Sequence, residues 1–200
     1  MTGPTVLSVT GGASGVAGRR AMNRKFVVTG GPGGGKSTLL DALAERSCRI
    51  APEAARRLIK ERLAAGLSPR PDPVSFARAI LDSDIQQYRA ATGHDGIIFF
   101  DRGVLDALYM LDLESALSRD EIARLVQAFP YNDTVFLLPP WEAIYAMDSE
   151  RDQTFEESVA VFEGMKRWYA RWGYQTVDVP RASVEARVSF IQDAIGRQSV

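Results

Sequence analysis

Gly30-Gly31-Pro32-Gly33-Gly34-Gly35-Lys36-Ser37-Thr38 places Gly30, Gly35, Lys36 and Ser37 at the fixed positions of the Walker A pattern G-x-x-x-x-G-K-[ST]. Each residue type has a use in phosphate chemistry. Glycines let successive backbone N–H groups curl around a phosphate, and a following helix N-terminus adds its positive dipole end. The Lys36 ammonium would reach the outer phosphates, and the Ser37 hydroxyl would ligate Mg²⁺. The pattern predicts a nucleoside triphosphate site.

A second stretch supplies an acid. Ile97-Ile98-Phe99-Phe100-Asp101 is four apolar residues ending in a carboxylate, as a buried central strand would read. In parallel α/β sheets ligands bind at the C-terminal strand ends. Asp101 would therefore face the phosphate loop and hold the Mg²⁺ shell through water. The alternative is an acid that ends a strand and caps the next helix.

The elements around these residues are legible. Lys25-Phe26-Val27-Val28-Thr29 reads as the strand feeding the loop, and Leu39, Leu40 and Leu43 mark one face of the helix leaving it. Cys48 to Ala51 reads as a second strand ended by Pro52. Glu53 then opens a helix that Gly66 stops near Ala65. Asp72-Pro73 suits an N-cap and first helical position, ahead of an apolar face of Phe76, Ile80, Leu81, Ile85 and Tyr88. Helices are expected over 103–114 and 119–129, the latter with a Ser118…Glu121 capping box. Thr134 to Leu138 and Tyr174 to Val179 read as further strands. Between them Thr154…Glu157 caps a long helix whose Val161, Met165, Trp168 and Trp172 suit a core, and Ser183 caps the last helix. Strands alternating with helices mean α/β with a parallel sheet.

Composition sets the limits. Two hundred residues, 46% hydrophobic and 24% charged, suit one globular domain. A net charge of −1 gives no electrostatic case for nucleic acid or an anionic membrane. Cys48 is the one cysteine, so no internal disulfide or Cys-based zinc site is possible. His94, the one histidine, sits in a turn-like Thr92-Gly93-His94-Asp95-Gly96 and reads as a solvated loop residue. No apolar run approaches the ~18 residues of a membrane span, so a cytoplasmic location is expected. Residues 1–24 read as a flexible Gly-rich extension and 25–200 as the phosphate-loop domain. Thr10 to Gly15 resembles the glycine turn of short-chain dehydrogenases. A dinucleotide site needs a full helix next, whereas here the next strand starts about ten residues later.

The ordered set of motifs carries a further resemblance. Phosphate loop, Glu53-Ala54-Ala55-Arg56, Phe76, Asp101-Arg102-Gly103-x-x-Asp106, Tyr145-x-x-Asp148-x-x-Arg151 and Val179-Pro180-Arg181-Ala182-Ser183 with Arg187 occur in that order. Residues 25–197 resemble the small AAA-labelled predicted ATPases related to nicotinamide riboside kinase and, more distantly, nucleoside kinases. The resemblance implies a three-layer fold around a five-stranded parallel sheet of order 2-3-1-4-5. It implies that Arg151 belongs to a lid closing over the phosphates and that Pro180 to Ser183 lies near the base. It also implies that Glu53 and Arg56 face an acceptor pocket, with Arg102 and Asp106 lining the same cleft. For Glu53 the alternative is a helix-dipole acid, worth about 0.3–1 kcal/mol; for Arg56 and Asp106 it is an ordinary helix charge.

Arg102 departs from hydrolytic AAA machines, which usually place an acid directly after the metal-binding Asp to polarise water. An arginine cannot be a base. It can stabilise phosphate charge, which suits transfer to a bound acceptor. The leading reading is thus a kinase passing the γ-phosphate of MgATP to a small nucleoside-like acceptor, with Lys36, Glu53, Asp101, Arg102 and Arg151 in catalytic roles. The absence of an Asn-Lys-x-Asp guanine signature favours adenine. A regulatory switch with slow ATP or GTP hydrolysis is the rival, and a kinase acting on a macromolecule a third.

Overall fold

The computed structural model describes residues 23–144 and 154–197. At its centre is β1 (Lys25–Gly30), whose burial on both faces follows from Phe26-Val27-Val28. It pairs with β3 (Ile98–Asp101) on one side and β4 (Thr134–Leu138) on the other. The edges are β2 (Arg49–Ala51) and β5 (Gln175–Asp178), so the parallel sheet runs β2-β3-β1-β4-β5. This is the order the resemblance implies. Register sets Val28 opposite Asp101 and Gly30 opposite Leu138, so the loop leaves the sheet where the flanking strands end.

Alternate side chains divide the core in two. Phe26, Val28, Phe99 and Phe136 pack against α1 (Lys36–Glu45) and α7 (Val184–Gly196) through Leu39, Leu43, Val188 and Ile191. Val27, Phe100, Val135 and Leu137 face the other layer. That layer contains α3 (Pro73–Ala90), α4 (Val104–Leu113), α5 (Arg119–Ala128) and α6 (Phe155–Arg171). Leu39 and Leu43 have no exposed surface, and burial of each contributes about 1.5–3 kcal/mol toward holding the loop's helix on the sheet. The remaining helix, α2 (Ala54–Ala64), follows β2.

Sequence punctuation is realised closely. Asp72 accepts from the Ser75 N–H at 3.0 Å with Pro73 in the first turn. Ser118 and Thr154 close reciprocal capping boxes with Glu121 and Glu157. Gly173, at φ 79°, ends α6 by donating to Ala170. Three strands are shorter than their apolar runs: Cys48, Ile97, Tyr174 and Val179 fall outside them. Cys48 and Tyr174 instead donate their N–H groups to Leu43 and Tyr169, sealing the preceding helices. Glu53 is also corrected. It stands before α2 as the N-cap residue, and its side chain caps nothing.

Candidate active site

The phosphate loop follows from its glycines. Gly30, Gly33 and Gly35 have φ of 141°, 81° and 68°, backbone that other residues rarely adopt. At Gly35 a Cβ would also lie 2.9 Å from Arg187 Nη1 and 3.0 Å from Ile144 Cδ1. Gly31 to Thr38 line a cavity of about 1050 Å³, while Gly30 ends β1 against Leu138. A glycine loop on the cavity wall, running into the N-terminus of α1 with Lys36 beside it, suits the phosphates of a nucleotide.

Glu53 is the charge hub. Arg102 Nε donates to its Oε1 at 3.1 Å, while Lys36 Nζ and Arg56 Nη2 each lie 3.7 Å from Oε2. Burial pushes the Glu53 carboxyl up, but Arg102, Lys36 and Arg56 together outweigh it and hold the group down at about 2. The carboxylate is therefore ionised and points into the cleft; it is not a surface helix-dipole acid. Glu53, Arg56 and Arg102 all line the main cavity.

Lys36 also forms a close ion pair with Asp101 at the end of β3. Burial raises the Asp101 carboxyl above its ordinary range, and Lys36 opposes that rise. Asp101 opens onto an adjoining recess of about 430 Å³ shared with Ser37, Glu53 and Arg56. Arg56 Nη1 donates to the Ser37 hydroxyl at 3.4 Å. The Ser37 hydroxyl and Asp101 carboxylate thus share one small space, a donor set that suits a hard, oxygen-seeking cation completed by phosphate and water. Among the described residues no cluster of three or more acids, histidines or cysteines could hold a metal alone.

Arg102 has φ 65°, a left-handed conformation unusual for a residue with a Cβ and costing about 1–3 kcal/mol. Its N–H still bonds Val28 O at 3.0 Å, so the chain turns sharply off β3 and the guanidinium enters the cleft. Its Nη1 is 3.5 Å from Asp106 Oδ1. Asp106 borders the cavity, but its carboxylate serves the fold. It accepts from Thr29 Oγ1, from the Gly103 N–H at 2.9 Å and from the Tyr169 hydroxyl at 2.7 Å. It joins β1, α4 and α6 behind the reacting groups.

Other predicted residues separate. Pro180 is exposed and not part of the cavity wall; Ala182, Ser183 and Val184 are. His94 is exposed, as its loop context implies. Arg151, with Tyr145 and Asp148, lies outside the described residues. Two cavity residues carry roles that sequence patterns did not assign. Arg187, 3% exposed on α7, donates to Gly34 O at 2.8 Å and Gly35 O at 3.4 Å, bracing the loop from the neighbouring helix on the same face of the sheet. Asp84, on the buried face of α3, shows nothing unusual in sequence except an acid between apolar positions.

Comparison with known proteins agrees with this architecture. A family model described as an AAA domain matches residues 25–187. Among solved structures the chain is similar to deoxyadenosine kinase from M. mycoides with products dCMP and dCDP bound. The TM-score is 0.62 at 14% identity, over 86% of this chain and 99% of that one. NadR protein in complex with NR aligns at 0.60 and 19% identity, over 90% of this chain and 52% of that one. Thymidylate kinase from Ehrlichia chaffeensis aligns at 0.55 and 14%, over 85% and 97%. No curated protein matches the chain. At these identities the likeness is one of fold. The family model matches well over half of the chain, residues 25–187, and the chain belongs to the AAA-domain family.

Proposed function

We propose that this protein is a kinase that transfers the γ-phosphate of ATP to a hydroxyl of a small nucleoside-like acceptor. The observation that carries the reading is the junction at Glu53. There the phosphate-loop lysine, two arginines and an ionised carboxylate meet inside one cavity, which continues past them between α3, α4 and α6. The volume of about 1050 Å³ exceeds what the loop alone needs and leaves room for a second small molecule. The nucleoside-like class comes from the names of the proteins that share the fold.

In this reading the loop N–H groups and Lys36 hold the triphosphate, and Lys36 leaves Asp101 and Glu53 to do so. Ser37 and Asp101 would hold Mg²⁺, which supplies charge neutralisation at the phosphate oxygens. Glu53 accepts a hydrogen bond from the acceptor hydroxyl and aims it. The hydroxyl oxygen bonds to phosphorus, the bond to the bridging oxygen of ADP breaks, and the hydroxyl proton passes to Glu53. Loss of Lys36 to the phosphates removes one of the three cations that lower Glu53, which increases its basicity as the acceptor reacts. Arg102, and Arg151 beside it in role, stabilise charge on the transferred group. Ala182 and Ser183, which line the cavity, would lie toward the base.

The test is product analysis with MgATP and a panel of nucleosides and vitamin-like ribosides. Phosphorylated acceptor stoichiometric with ADP is expected, and its loss in Lys36→Ala assigns it to this site. ADP and free phosphate alone, with no acceptor consumed, would replace the kinase by the hydrolytic switch.

A further inference from the structure

Asp84 has no structural explanation within the fold. It is 3% exposed and lines the cavity from α3, and its Oδ2 has no hydrogen-bond partner among the described residues. Buried polar groups are nearly always paired, and an unpaired one on a residue that lines a cavity calls for a partner that enters from outside. The same cavity is lined by the apolar side chains of Phe76 and Ile80 from α3, Met110 from α4 and Met165 from α6, and by the aromatic Tyr109 of α4. Asp106, the other carboxyl on this wall, is already engaged by Thr29, Gly103, Tyr169 and Arg102. Arg102 is committed to Glu53 and Asp106 and forms no ion pair with Asp84 among the described residues.

Resting on the kinase reading, we propose that Asp84 selects the acceptor by pairing its carboxyl with a ring edge that carries an N–H donor next to a hydrogen-bond acceptor. Apolar and aromatic lining suits the faces of a flat heteroaromatic ring, and the one unpartnered carboxyl would read its edge. Burial first, then the negative charge of Asp106, raises Asp84 well above the ordinary carboxyl range, with Arg102 opposing. In the protonated form that burial and Asp106 favour, the carboxyl donates through O–H and accepts through C=O, so it matches an amino group beside a ring nitrogen. It also matches a carboxamide. Either oxygen can carry the proton, so the order of donor and acceptor along the edge is not read. A ring lacking the N–H leaves Asp84 unpaired again and is disfavoured.

The test uses matched ribosides with the full-length protein and MgATP. Adenosine is compared with purine riboside, and cytidine with pyrimidin-2-one riboside; each second member lacks only the amino group. The wild type is expected to favour the amino member by about tenfold or more in kcat/KM. Asp84→Asn, which keeps one donor and one acceptor, should retain the preference. Asp84→Leu should bring the ratio near one while its melting temperature holds or rises, because an unpaired buried carboxyl is removed. Should that variant not fold, Asp84→Ala carries the same comparison. Both members phosphorylated equally by the wild type, or a preference that survives in the leucine variant, would overturn the role of Asp84 and leave the kinase standing. No riboside bound or phosphorylated, with MgATP still bound, would overturn both.

Discussion

Arg102 Nε donates to Glu53 Oε1 at 3.1 Å, joining the residue after β3 to the residue before α2 across the sheet edge that carries Lys36. With Lys36 and Arg56, the contact holds Glu53 down at about 2 against the upward push of burial. Depression of a carboxyl on folding means stability that is present above its unfolded value and lost as pH falls toward the folded one. Glu53→Gln should therefore lower the melting temperature at pH 7, because three cations are left without their shared partner. The difference from the parent should shrink between about pH 4.5 and pH 2. Thermal melts of both proteins across that range check the sign.

The same variant separates positioning from hydrolysis. Glu53→Gln should leave MgATP binding within a few-fold and cut acceptor phosphorylation at least ~10²-fold, with far less effect on background hydrolysis. Mass spectrometry of the product and a free-phosphate assay without acceptor give the two rates. A collapse of hydrolysis alone would mean that Glu53 handles water.

Lys36→Ala should abolish turnover with a modest change in melting temperature. Among the described residues the Lys36 ammonium pairs with the cleft carboxylates Glu53 and Asp101. Near-normal turnover in the purified variant would remove the loop from the chemistry.

Asp106 and Tyr169 test a structural joint. Tyr169→Phe deletes the 2.7 Å bond to Oδ2 and should cost about 1–3 kcal/mol in denaturant unfolding. Asp106→Ala, which orphans Thr29, Gly103 and Tyr169 together, should cost more. If Tyr169→Phe is neutral in stability and lowers acceptor affinity, Asp106 belongs to the pocket.

Arg187→Met should weaken nucleotide binding by about tenfold, because the loop carbonyls of Gly34 and Gly35 lose a buried charge-assisted donor. Calorimetric titration with MgATP reads the change. Equal affinity would show that the loop holds its shape without α7.

Deleting residues 1–21 should leave melting temperature and nucleotide affinity unchanged. The first described tie is Asn23, whose side chain donates to Pro130 O at 2.6 Å and whose carbonyl accepts from Asn132 at 2.7 Å. A protein beginning at Met22 keeps both. A drop of several degrees would place part of the extension on the domain.

Local chemistry made much of this protein legible in its sequence. Gly30 to Thr38 reads as a phosphate loop because glycines stand where its dihedrals are positive, at Gly30, Gly33 and Gly35, and Lys36-Ser37 follow at the spacing of the pattern. The caps at Asp72, Ser118, Thr154 and Ser183 mark helix starts because each satisfies N–H groups within three residues of itself. The parallel alternation of strands and helices followed from apolar periodicity, and with it the sheet edge where Asp101 and Glu53 end up.

What no spacing revealed were relations between distant segments. Glu53 and Arg102 are forty-nine positions apart, and their ion pair exists because β2 and β3 end side by side. Arg187 reaches Gly34 across one hundred and fifty-three positions through the packing of α7 on α1. Asp106 looked like a cleft charge and Asp84 like nothing in particular. Three-dimensional packing tied the first to Thr29, Gly103 and Tyr169, and left the second, on the cavity wall, with a buried oxygen that has no partner among the described residues. A side chain's type announces what it can bond, but only the assembled neighbours determine whether that capacity is spent on the fold or left for a ligand.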